Sequence, residues 1–207
     1  MKKTVLNVLA LIVLGLIMQT GGAYLVNAAV DLFDGYEAVT KYAEYMNSIV
    51  NLEPRQYIHV LFVAPILEEL VFRLIFLRAG RMVMPFWVAN FIQALLFGIY
   101  HTYLIQKVYG FVMGLIIGCV FGYCPVIYRK SEASALIDLP DCLLGVGITI
   151  ILHMVINASG LFITPLLPAQ IPLSFQMIIG IVLMGIAAAV CVLLKKKADR
   201  DAPSYDK

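Results

Sequence analysis

Charge is scarce in this chain. Asp, Glu, Lys and Arg together make up 14% of its 207 residues, where about a quarter is usual for a soluble domain. With hydrophobic residues at 62%, that shortage excludes an ordinary soluble globule. Nucleic acid is excluded as a partner as well, because the sequence has no basic stripe, zinc-finger spacing or helix-turn-helix pattern. Cysteine patterning is also missing. Cys119, Cys124, Cys142 and Cys191 lie in or beside apolar runs and form no C-x-x-C pair, so neither a thiolate metal site nor a disulfide framework is indicated. They read as small packing residues. No H-E-x-x-H occurs, so the usual zincin helix is absent. No soluble domain separates from the rest, and no repeat is present beyond a ridge of glycines.

Long apolar runs dominate instead. They exceed what a transmembrane β-strand needs, about ten alternating residues, so the chain is expected to be all-α: a polytopic transmembrane helical bundle, one membrane domain over 1–207. About six spans are expected, near 4–30, 54–78, 85–104, 108–128, 141–159 and 173–194. The first resembles a signal peptide, but its apolar character continues to Val30 without a clear cleavage site. It reads as a retained span, with a cleaved signal as the alternative. Residues 31–51 carry Tyr36, Tyr42 and Tyr45 among acids at helical spacing, the pattern of an amphipathic helix lying in the interface. Residues 129–140 read as a polar loop, 160–172 as a proline-rich loop or short re-entrant turn, and 195–207 as a disordered polar tail. Gly110, Gly114, Gly118 and Gly122 recur every four residues, a ridge that lets another helix approach closely. Lys2/Lys3, Arg78/Arg81, Arg129/Lys130 and Lys195–Lys197 all fall on one side of this arrangement. The positive-inside rule then puts both termini in the cytoplasm of a multi-pass cell-membrane protein.

The segment from Leu52 to Arg78 breaks the pattern. It is apolar enough to span a bilayer yet carries Glu68, Glu69 and Arg73 near its middle, and each such group costs about 2.5–3.5 kcal/mol at a helix centre even on lenient scales. Glu69 and Arg73 stand at i, i+4 and can pair. Glu68 points about 100° away and is left for another task. Pro65 lies inside the helix and is expected to kink or loosen the turn just before the glutamates.

Two further spans carry polar groups, Phe97-Gly98-Ile99-Tyr100-His101 and His153-Met154-Val155-Ile156-Asn157. His59 reads as an interfacial residue near the start of its helix. Buried polar groups need partners, so Glu68, Glu69, Arg73, His101, His153 and Asn157 are expected to share one interior. A carboxylate and a histidine there can polarise water, with His and Asn stabilising an oxyanion. Glu68, His101 and His153 could alternatively bind Zn²⁺ with an open position. Proton-coupled carriers use the same residue types, although no inverted halves with paired broken helices are visible.

Glu68-Glu69-Leu70-Val71-Phe72-Arg73 fits E-E-x-x-x-R, Phe97 to His101 fits F-x-x-x-H, and His153 to Asn157 fits H-x-x-x-N. In that order on successive helices they resemble the three motifs of the CAAX-protease and bacteriocin-processing family, the type II CAAX prenyl endopeptidases also called the Abi family. The resemblance covers about residues 65–160; with its helices, the motif-bearing core is about 54–160. It implies an intramembrane endopeptidase in which Glu68 activates water with His101 as partner. His153 and Asn157 would form the oxyanion pocket, and Glu69 and Arg73 an orienting pair. It leaves zinc and metal-independent chemistry both open; we expect no tightly bound metal. The implied substrates are peptides or lipid-anchored proteins at the bilayer. A non-catalytic bacteriocin-immunity or peptide-binding protein of the same fold is the alternative. One tension follows: His101 falls toward the non-cytoplasmic end of its span, whereas the family's prenyl proteases act from the cytosolic side.

Overall fold

The computed structural model describes residues 2–48, 52–123, 139–168 and 171–201. All regular structure among them is helical. Helix α1 spans Lys2–Leu32, α2 spans Glu37–Ser48, and helical residues then run unbroken over 54–81, here α3. Phe86–Tyr100 is α4, Leu104–Tyr123 is α5, Leu139–Phe162 is α6 and Leu173–Asp201 is α7. Helices α1, α5, α6 and α7 are long and apolar enough to cross a membrane, and α4 is a shorter apolar helix. Together with the charged α3, this agrees with about six spans. Large apolar side chains such as Ile178, Ile181 and Val192 stay exposed on α7, as a lipid-facing surface requires.

The expected boundaries shift in ways the packing explains. The amphipathic helix is shorter than 31–51: a turn at Asp34-Gly35, with Gly35 at φ +86°, separates it from α1. Its Val39 and Tyr42 are buried, and Lys41 pairs with Glu37 at 2.6 Å on the outer face. The fifth span continues to Phe162, and a 3₁₀ turn, Thr164–Leu166, follows in the expected proline-rich loop. The tail does not begin as coil at Lys195; α7 carries on to Asp201, because lysine and alanine are good helix formers and cations suit a helix C-terminus. The polar loop at 129–138 and the end of the chain from 202 lie outside the described residues.

Close approach of α5 to α4 organises the centre. A Cβ on Gly118 would overlap Asn90 Oδ1 of α4, and one on Gly122 would overlap the Phe86 ring. At Gly114 it would sit 3.2 Å from Ala94 Cα, and at Gly110 3.1 Å from His101 Nδ1. The four-residue ridge therefore lies against α4 along its length. Two residues not anticipated from the sequence close this seam. The buried Asn90 donates to the Leu115 carbonyl at 3.0 Å, and Gln93 donates to Asn90 Oδ1 at 2.7 Å and to the Gly114 carbonyl at 3.0 Å. Behind them Met18, Leu77, Ile117, Val120, Phe121 and Leu152 form the apolar core with Cys119, Cys142 and Cys191. Those three cysteines are buried and form no disulfide; Cys124 lies outside the described residues.

Candidate active site

Pro65 lies in a disturbed stretch of α3. The helix passes through two π segments, His59–Val63 before the proline and Leu70–Leu77 after the glutamates. In the first, the Ala64 N–H bonds to the His59 carbonyl. The residue five beyond Val60 is then Pro65, which has no N–H to offer. The Val60 carbonyl is left for another donor, and Asn157 Nδ2 supplies it at 2.9 Å from α6.

Four residues before Asn157 on the same face, His153 meets both glutamates. Its Nδ1 lies 2.9 Å from Glu69 Oε1 and its Nε2 3.7 Å from Glu68 Oε2. A carboxylate accepts, so Nδ1 donates to Glu69 and Nε2 is the nitrogen turned toward Glu68. The two consecutive carboxylates differ in setting. Glu69 is fully buried and holds Arg73 Nε at 3.0 Å, close as an ion pair though off-line for a hydrogen bond. The Glu68 side chain keeps 14% exposure.

The ring of Phe97 ties these parts together. The Arg73 guanidinium lies over it at 4.8 Å, a favourable cation–π contact in a dry site. Edge-to-face contacts join it to the His101 ring at 5.0 Å and the His153 ring at 5.9 Å. His101 ends α4: its backbone turns extended, at φ −75°, ψ 153°. Its N–H goes to the Gly98 carbonyl, which leaves the Phe97 carbonyl without its usual partner. The imidazole takes that place, Nδ1 donating to Phe97 O at 2.8 Å, so Nε2 remains for other partners. Gly110 gives the ring room on the α5 side.

Glu68, Phe97, His101, His153 and Asn157 all line one cavity of about 350 Å³, ample for several waters at roughly 30 Å³ each. Glu69 and Arg73 are outside it. The sequence-derived residues thus separate into a wet group of four and a dry pair. His59, expected at the interface, also lines the cavity. So do Gln19, Asn27 and Tyr109, none of which was singled out from the sequence; the carboxamides of Gln19 and Asn27 in the first apolar run were the available signal. From α2, Tyr42, Tyr45 and Met46 close the wall, with Tyr45 stacked on Tyr103 at 4.7 Å. Burial pushes the Tyr42 phenol up to about 12, so it is a neutral donor there. Among the described residues, no three His, Cys, Asp or Glu side chains form a group that could hold a metal ion.

The family described as "Type II CAAX prenyl endopeptidase Rce1-like" matches residues 51–159. No curated protein and no solved structure matches the chain.

Proposed function

The chain belongs to the Rce1-like family of type II CAAX prenyl endopeptidases, and we propose that it hydrolyses a peptide bond of a membrane-associated peptide or lipid-anchored protein with water activated by Glu68. The observation that carries the reading is the convergence of Glu68, His101, His153 and Asn157, from three helices, on one cavity. Glu68, with His101 alongside, takes a proton from water as its oxygen attacks the carbonyl carbon. The second N–H of Asn157 and, with the His153 ring in its imidazolium form beside the two glutamates, the Nε2–H of His153 would face the carbonyl oxygen and offset its developing charge. Glu68 then returns the proton to the departing amide nitrogen as the C–N bond breaks, so atoms and charge balance.

Glu69 is assigned a positioning role, holding the His153 ring through Nδ1 while Arg73 compensates its charge. No step is assigned to a metal. Both termini are assigned to the cytoplasm from the placement of the basic residues.

The test is cleavage of a library of internally quenched peptides in proteoliposomes, half of them carrying a C-terminal farnesylcysteine segment. Wild type is expected to cleave members that Glu68→Ala leaves intact. A cellular function that survives both Glu68→Gln and His153→Ala would replace hydrolysis with simple peptide binding.

A further inference from the structure

We infer that Gln19, on a helix outside the matched segment 51–159, is a substrate-positioning residue that pairs its carboxamide with a main-chain amide of the bound peptide. The inference rests on the peptidase reading above and adds how the peptide is held.

Gln19 lines the same cavity as Glu68, His153 and Asn157 and is only half-buried. Its carboxamide is already oriented. The Tyr109 hydroxyl of α5 donates to Oε1, and Nε2 donates to Thr164 Oγ1, beyond the end of α6, at 3.3 Å. A carboxamide has two N–H donors and an oxygen able to accept twice. Each is used once, so one donor and one acceptor remain on the same planar group. A peptide unit offers one N–H and one C=O, the complement of what is left.

Two glycines make the arrangement possible. A Cβ on Gly22 would overlap the Tyr109 ring, and one on Gly160 would stand 3.1 Å from Gln19 Nε2. Gly160 also fixes where Gln19 lies relative to the chemistry. It follows Asn157 by three residues on α6, a rise of about 4.5 Å. An extended peptide advances roughly 3.3 Å per residue. A substrate whose reacting carbonyl faces Asn157 therefore brings a peptide unit one or two residues away to Gln19. Tying α1 to α5 and α6 would need only the two bonds already made, and Gln19 lines the cavity with one donor and one acceptor to spare.

The experiment uses the best-cleaved library peptide and analogues in which each peptide bond near the scissile one is replaced, singly, by an ester, which lacks the N–H. For wild type, one such ester should raise KM roughly two- to tenfold, the worth of one hydrogen bond, with kcat little changed. For Gln19→Met the amide-to-ester ratio at that position should collapse to near one. The ratio is taken within each variant, so partial unfolding cannot imitate it; Gln19→Ala, read the same way, covers poor packing of the methionine. Thr164→Val, which removes only the tie, should keep the wild-type ratio. Retention of the ratio in both Gln19 variants, its loss in Thr164→Val, or the absence of any ester effect in wild type overturns the assignment while leaving the peptidase reading standing. If wild type cleaves no peptide, both fall together.

Discussion

His153 and Glu69, 84 residues apart in sequence, form the contact on which the site is built: Nδ1 meets Oε1 at 2.9 Å and leaves Nε2 facing Glu68. One imidazole thereby bridges two adjacent carboxylates, the first open to the cavity and the second sealed from it. The dry carboxylate is shared between His153 and Arg73, so its role is not that of a simple ion pair.

Arg73→Met should lower stability by about 3–5 kcal/mol, because it strands a buried carboxylate. Glu68→Gln, at the wet edge, should change stability by less than about 1 kcal/mol while abolishing cleavage. Thermal unfolding in detergent, followed by a thiol-reactive dye that reports the buried Cys119, Cys142 and Cys191, compares them directly. Equal melting temperatures for the two variants would refute the division into dry and wet groups.

Spacing alone predicts that exchanging the charges, Glu69→Arg with Arg73→Glu, is tolerated better than either single change. The structure alters that expectation. Exchange preserves an ion pair but puts a guanidinium, which cannot accept, against His153 Nδ1. Stability should recover in part and cleavage should not. Recovery of both would show that Glu69 acts on Arg73 alone.

Asn157→Ala should cost about 1–3 kcal/mol by leaving the Val60 carbonyl without a donor. In a Pro65→Ala background the backbone regains an N–H that can serve the carbonyls of this turn, so the same substitution should cost less. A double-mutant cycle measured by unfolding should give a coupling of about 0.5 kcal/mol or more. Strict additivity would separate the proline from the asparagine.

Gly118→Ala should destabilise by about 1–3 kcal/mol, since the new methyl meets an Asn90 side chain already fixed by hydrogen bonds to Leu115 and Gln93. Gly185→Ala on α7, where nothing lies within 4 Å, should be neutral or stabilising by up to about 1 kcal/mol. Similar melting temperatures for the two would mean that the α4–α5 seam is looser than its geometry states.

Cleavage in excess EDTA or 1,10-phenanthroline should stay within about twofold of the untreated rate, with no stoichiometric metal by elemental analysis. Chelator-sensitive activity restored by zinc would move the water from Glu68 to a metal.

The membrane bundle, its approximate spans and the three motifs were legible in the chain because each is a local pattern. Apolar run length sets what can cross a bilayer, a four-residue glycine period sets a face, and i, i+4 spacing brings Glu69 to Arg73. What those residues do to one another was not local. Periodicity put Glu68 and Glu69 on different faces, and only the approach of α6 joined them through His153. Pro65 announced a disturbed helix, but the Val60 carbonyl it leaves open, and Asn157 as its donor, depend on α3 and α6 lying side by side. Asn90, Gln93, Gln19 and Tyr109 passed unnoticed because a lone amide or phenol in an apolar run gains meaning only from the partner opposite. Sequence determined which side chains had to leave the lipid, since the free energy of an unpaired polar group in hydrocarbon is a property of that group. Tertiary packing decided which of them stayed dry and which met water, since that depends on the distances between helices.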